Sequence, residues 1–348
     1  MKRYLVKWLR KLLPFKCFHN DWLDVSGMMM RTGAYHKLNL DYSFFDNIRF
    51  DDVSLKQYRI DAAKLCAESL GNKPALCFSG GVDSQAMIMA WREANLNADI
   101  FILRFDNDLN SQDYNHAIEF CKKIGIDYNV INIDIINFLT RENYNIGIKY
   151  KSASPHFNVH YKLVEILSER GYTGVCFGGQ APNKNFNTWG KNFEKNPLNF
   201  VRIQDVFEIP VQGSFLSYYP QLAWAITLLT ESFDEDQKPE NTRTEKDFTR
   251  LINIRYPLKV LGYQRAGFPV IPQETKFTGF ELVKKYFENL TGDGWTFEKR
   301  FRFPLAKLFD TDFKSYQIEV DQVISNKLES IYLNNFGSDF RSSTGISV

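Results

Sequence analysis

The chain of 348 residues is expected to fold as an α/β protein, a doubly wound parallel sheet with a mainly helical C-terminal region. Three observations predict it. Short apolar runs, Ala75–Phe78, Ala98–Phe105, Asp127–Ile133 and Gly174–Phe177, read as strands. Stretches of helical character separate them, and strands that alternate with helices form parallel sheets with right-handed crossovers. Small residues stand where a run ends, Ser79-Gly80-Gly81 after the first and Gly178-Gly179 after the fourth.

Each element follows in order. Residues 1–53 form an N-terminal extension. Its first 16 residues carry six basic and no acidic side chains, with Leu5, Trp8, Leu9 and Leu12 at helical spacing. Such a helix either lies on an anionic membrane surface or packs its stripe on the protein, and the second reading is preferred. The apolar part is too short to span a bilayer or to serve as a secretory signal. Between Trp22 and Phe50, the alternation in Tyr35–Leu40 suggests a small β element.

Residues 54–199 form the nucleotide-domain candidate. Ser54 is placed to cap a helix over Leu55–Leu70 that Gly71 stops. After the first strand and its turn, helix formers run from Gln85 to Ala94. Ser111 is the expected cap of a helix through Ile124, and another helix runs from Asn158 to Arg170. The Asn-rich stretch Asn183–Asn199 reads as a long loop able to act as a lid. Residues 200–336 read as a mainly helical domain, with helices over Tyr218–Leu229, Phe248–Ile254 and Phe280–Leu290 and a charged segment Asp234–Asp247. Residues 337–348 are a Ser/Gly-rich tail.

The stretch Ser79-Gly80-Gly81-Val82-Asp83-Ser84 carries the chemistry. A helix N-terminus presents unpaired N–H groups and partial positive charge, which suits an anion such as phosphate. Gly80 and Gly81 allow close backbone approach, and Ser79 and Ser84 supply hydroxyl donors. Asp83 would repel bare phosphate unless a divalent cation lies between them, so it implies magnesium.

This hexapeptide resembles the PP-loop of the ATP pyrophosphatases, the adenine nucleotide alpha-hydrolase-like superfamily, all six positions fitting its S-G-G-x-D-S pattern. In general look the chain is similar to the synthase domain of asparagine synthetase. The resemblance implies an AMP-forming ligase that uses ATP and Mg2+, adenylates a substrate carboxylate or carbonyl and releases pyrophosphate before a nitrogen nucleophile attacks. It implies Asp83 and Lys184 as catalytic residues and Asp83 as metal ligand. Ser79, Gly80, Gly81, Val82, Asp83, Ser84, Leu103, Arg104, Gly178 and Gly179 are the implied nucleotide contacts. Leu103, Arg104 and Phe105 match the strand end that holds adenine and ribose through backbone groups. Arg104 either stacks on a base or solvates the rim.

Gly178–Lys184 resembles the family's second glycine-bearing loop, with one departure: relatives of the asparagine-synthetase type carry an acidic metal ligand there, and this chain offers only Gln180 and Asn183. Magnesium would then rely on Asp83, the phosphates and water, or on a carboxylate from elsewhere such as Asp106 or Asp108. Lys184 either contacts phosphate or is simply solvated. Arg265, Lys276, Arg300 and Arg302 are further candidates to neutralise pyrophosphate. No nucleophilic cysteine follows Met1, so a glutaminase half is not expected. The partners expected are a small-molecule substrate and a separate ammonia or amine donor. A tRNA-modifying enzyme and an ATP-binding regulator without turnover are the alternatives.

Composition constrains the rest. A net charge of +2 provides no global attraction to nucleic acid, which is therefore not expected as a partner. Five scattered cysteines form no C-x-x-C pair and suit a reducing, cytoplasmic setting. Cys176 alone lies close enough to the expected site to be considered as a thiolate. His156 and His160, four apart, have the spacing of a metal pair but lack a third ligand in view.

Overall fold

The computed structural model describes residues 47–150, 152, 154–179, 209–213, 215–217, 219–230, 256–273, 279–291, 297–302 and 304–305, together with two short strands ahead of them. Those strands, β1 (Leu23–Asp24) and β2 (Asn39–Leu40), pair antiparallel. The first helix, α1 (Asp52–Leu70), is capped by Asp51 rather than by the expected Ser54. The Asp51 carboxylate accepts from the Ser54 N–H at 3.0 Å and from its hydroxyl at 2.8 Å, so Ser54 becomes the third helical residue. Gly71, at φ 82°, ends the helix as expected.

Strand β3 (Pro74–Cys77) leads through the glycine turn into α2 (Val82–Glu93). Next come β4 (Asp99–Phe105), α3 (Ser111–Ile124) and β5 (Asn129–Ile133). Asn110, one residue before the expected Ser111, occupies the cap position of α3, and Gly125 closes it in the left-handed region at φ 65°. Residues 135–150, given no element by the sequence, are helical: a turn at Ile135–Asn137, a π-helical turn at Phe138–Glu142 and α4 (Asn143–Tyr150). Helix α5 (Pro155–Glu169) starts three residues before the expected Asn158, because Pro155 fits a first turn where its missing N–H costs nothing. Strand β6 (Gly174–Phe177) follows.

Beyond it lie β7 (Val211–Gln212), α6 (Pro220–Leu229), α7 (residues 256–265) and α8 (Glu281–Thr291), with a π-helical turn at Glu298–Arg302. The expected segments Asp234–Asp247 and Phe248–Ile254, the Asn183–Asn199 loop, the basic N-terminus and the tail lie outside the described residues. Among the described residues no helix is long and apolar enough to cross a membrane.

The larger sheet has the order β5-β4-β3-β6-β7, with every pairing parallel. It is the doubly wound architecture expected, enlarged by the unforeseen β7. Chain order reverses at β3, which is flanked by β4 and β6, so the crevice beyond its carboxyl end is the switch point. Side chains alternate across the sheet as period two requires. Leu76, Ile100, Ile102 and Cys176 enter one core with α1, α2 and α3, while Ala75, Cys77, Phe101, Val175 and Phe177 enter the other with α4 and α5. Both faces are covered, as parallel sheets demand.

The described residues after 199 build no core of their own. Phe215, Leu222, Trp224, Tyr263 and Phe268 join the first core, whereas Phe280, Phe287, Phe297 and Phe301 join the second. Arg59 fastens one seam: its guanidinium meets both Glu93 carboxylate oxygens at 2.7 and 2.9 Å and donates to the Ala266 carbonyl at 2.6 Å.

Candidate functional site

The turn after β3 has two glycines with different reasons to be glycine. Gly80 adopts φ 79°, and a Cβ there would lie 2.9 Å from the Ala117 N and 3.1 Å from the Asp113 O. The protein itself excludes a side chain at Gly80, because the turn rests on the first turns of α3. At Gly81 a Cβ would meet only the Ser79 Oγ, at 3.5 Å, an ordinary contact. Gly81 is the N-cap residue of α2 and lacks a side-chain cap, so the orphan N–H groups of that helix are left for something else.

Two side chains hold the turn in shape. Ser84 is buried and donates to the Gly81 carbonyl at 2.9 Å, with the Ser79 hydroxyl 3.2 Å away. Gln85 is fully buried, donating to the carbonyls of Gly80 at 2.7 Å and Ile271 at 2.8 Å and accepting from the Ile271 N–H at 2.7 Å. His116 lies 3.2 Å from both the Gln85 amide nitrogen and the Ile271 carbonyl. The end of β6 closes the other side, where a Cβ on Gly178 would lie 2.6 Å from the Ser84 N and Cα.

A cavity of about 280 Å³ opens beside this turn. Ser79, Gly81, Asp83, Ser84, Leu103, Gly178 and Gly179 line it, bringing together seven of the predicted contacts from three strand ends. Three others do not line it. Gly80 carries the turn from behind, and Val82 is buried in the core, leaving only its backbone for a ligand. Arg104 is outside the lining, paired with Asp108 at 2.8 Å and lying over the ring of Tyr114. Lys184 and Lys276 lie outside the described residues.

At the end of β4, expected to meet adenine and ribose largely through backbone groups, two of those groups already have a side-chain partner. The Asn110 side chain accepts from the Phe105 N–H at 2.7 Å and donates to the Leu103 carbonyl at 2.9 Å. Asp106 and Asp108 are exposed and outside the lining, so they are not the missing carboxylate. Asp113, unforeseen in the sequence, lines the cavity and accepts from Gln273 Nε2 at 3.2 Å. Burial, with repulsion from Glu281, pushes its carboxyl up to about 7 against the opposing Gln273 hydrogen bond.

The inner wall is apolar. Phe101, Ile102, Phe105, Phe157, Leu163 and Phe280 line it. His160 joins them, 5.2 Å from the Phe177 ring centroid, and burial lowers its pKa to about 4. His156 stacks on Phe280 at 4.0 Å and is lowered to about 3, first by burial and then by Lys284. Neither joins a group of three potential metal donors among the described residues. The Cys176 thiolate reading is overturned: the side chain is fully buried, 3.5 Å from the Cys66 sulfur, and burial raises its pKa far from the thiolate range.

Asp83 has partners that the sequence did not reveal. Its Oδ2 lies 2.5 Å from Lys259 Nζ, and its Oδ1 accepts a hydrogen bond from the Tyr263 hydroxyl. Lys259 and Tyr263 stand four apart on α7, hence on one helix face. Magnesium was expected at this carboxylate. Both oxygens are engaged by an ammonium and a phenol, an arrangement that suits a positioned lysine. Of the other cations considered, Arg265 reaches the Leu229 carbonyl, and Arg300 lies over Phe287 and Phe301.

No family model matches the chain, and no curated protein is similar to it in sequence. Many solved structures overlap it, and two of them serve as examples. One is the predicted subunit of tRNA methyltransferase from Methanocaldococcus jannaschii, at 19% identity over 44% of this chain and 74% of that one, with a TM-score of 0.27. The other is the U34-tRNA thiolase NcsA from Methanococcus maripaludis with its [4Fe-4S] cluster, at 13% identity over 82% and 86%, with a TM-score of 0.31. Overlap this slight carries no argument about chemistry, and the α/β architecture rests on the parallel sheet itself.

Proposed function

We propose that this chain is an ATP pyrophosphatase of the PP-loop type, which holds ATP by its phosphates at Ser79–Ser84, adenylates an oxygen of its substrate and releases pyrophosphate. The observation that supports it most is Gly81. Nothing among the described residues requires a glycine there, yet it lines a cavity at an uncapped helix N-terminus beside two serine hydroxyls. Close approach of an anion to the backbone is what such a residue allows.

In this reading a substrate oxygen attacks the α-phosphorus, the bond to the β-phosphate breaks, and pyrophosphate leaves. A nucleophile then displaces AMP from the activated carbon. The chain's part is to align the reactants and to meet the charge that grows on the leaving phosphates. Backbone N–H groups at Gly81–Ser84 and the ammonium of Lys259 are the groups available for that task.

The lining bears on the substrate. A small carboxylate joined to ammonia or an amine, as in asparagine synthesis, calls for a cation facing the substrate carboxylate. The described inner wall instead offers aromatic rings, Leu163 and the neutral His160. That wall favours an uncharged planar ring whose carbonyl oxygen is adenylated, so the tRNA-modifying alternative fits better than the asparagine-synthetase-like reading.

Pyrophosphate release from ATP, measured with deacylated tRNA and with panels of amino acids and simple carboxylates plus ammonia, tests the proposal. tRNA-dependent release supports the ring-carbonyl reading, and release with a carboxylate restores the asparagine-synthetase-like one. ATP binding without turnover on any panel member leaves a regulator.

A further inference from the structure

We propose that Lys259 is the built-in cation of the phosphate site, so that the chain grips ATP phosphates without a divalent cation bound to Asp83. This rests on the reading that Ser79–Ser84 holds phosphate. Three observations converge on it. The Lys259 ammonium lies 2.5 Å from Asp83 Oδ2, and Asp83 lines the cavity one residue from Ser84. The second Asp83 oxygen is taken by the Tyr263 hydroxyl, from the same face of α7, which fixes the carboxylate as an anchor. The ion pair is mostly shielded, with side chains 18% and 16% exposed, so the positive charge stays in place.

An ammonium has three N–H donors, and Asp83 uses one. The remaining two suit the oxygens of a phosphate seated on the N-terminus of α2. Asp83 then acts as a positioning residue: it stations Lys259 and offsets its charge while the site is vacant.

The experiment is calorimetric titration of ATP into the full chain, in EDTA and in Mg2+, for the wild type, Lys259→Met, Lys259→Arg and the double variant Asp83→Asn/Lys259→Met. The wild type should bind with affinities within about threefold of each other in the two buffers. Lys259→Met should lose about tenfold to a hundredfold in EDTA, and Lys259→Arg should keep most of the affinity. The double variant, which leaves no unpaired charge, should melt near the wild type and yet bind as weakly in EDTA as Lys259→Met, separating lost binding from lost folding. Wild-type binding that collapses in EDTA, or Lys259→Met binding in EDTA as well as the wild type, overturns the inference while leaving the phosphate site standing. Absence of ATP binding by the wild type in both buffers overturns the phosphate-site reading, and the inference with it.

Discussion

Gly178 and Ser84 touch through their backbones: a Cβ on Gly178 would sit 2.6 Å from the Ser84 N and Cα. The ends of β6 and β3 are thereby locked together at the first turn of α2. Gly178→Ala should therefore push the two loops apart, lowering stability by about 1–3 kcal/mol and weakening ATP binding together. Thermal melting and titration of ATP on the same sample check it.

The two glycines of the turn should respond differently. Gly80→Ala meets both a left-handed φ of 79° and the Ala117 amide, and should cost about 2 kcal/mol or more of stability. Gly81→Ala, at φ −66° and with open space around it, should cost less than about 1 kcal/mol. Gly81→Ala should nevertheless weaken ATP binding, because a methyl group would stand where the phosphate approaches. Denaturant unfolding beside ATP titration separates the two effects.

Much of this region was legible in the sequence because the information is local. Alanine, leucine and cysteine before the turn, small residues within it and helix formers after it specify strand, turn and helix without reference to the rest of the chain. The caps were read less well: Ser54 and Ser111 are good caps, but Asp51 and Asn110, also good caps, stand at the positions that start the helices. What escaped entirely is tertiary. Lys259 reaches Asp83 across 176 positions and Gln85 reaches Ile271 across 186, and no local pattern announces either.

Gln85 should be a stability residue that acts on the site from behind. Gln85→Leu keeps the approximate volume but leaves the Ile271 N–H and the carbonyls of Gly80 and Ile271 without this partner in the interior. A loss of about 2–4 kcal/mol in unfolding free energy is expected, read from the midpoint of a denaturant titration.

Asp113 gives a pH signature. Its folded pKa, about 7, lies above the ordinary carboxyl value of 3.8, so between these values the folded state binds more protons than the unfolded one. Stability from this group is complete below the lower value and is lost as pH rises through 7. Glu281 and Gln273 face it, and Tyr256 titrates well above this window. Asp113→Asn should thus raise the melting temperature at pH 8 and change it little at pH 4. His156 and His160 act in the opposite sense: their pKa values fall from 6.5 to about 3 and about 4, so stability is lost as pH falls below 6.5. His160→Phe should flatten that acid limb in melts recorded from pH 7 to pH 4.

Cys66, Cys77, Cys121 and Cys176 are buried, and burial raises Cys77, Cys121 and Cys176 above the ordinary thiol range. All four should resist iodoacetamide at pH 8 in the native protein and react once it unfolds. Peptide mapping by mass spectrometry reads this site by site, and rapid native labelling of Cys176 would revive its thiolate role.

Hydrogen exchange of the backbone amides with and without ATP tests most directly whether phosphate sits on the turn after β3. ATP should slow exchange in peptides covering Ser79–Gln85 and Phe177–Gly179, and adenosine, which lacks phosphates, should leave the first of these unchanged. Protection confined to other parts of the chain, with Ser79–Gln85 exchanging at the same rate in the presence of saturating ATP, would contradict the account.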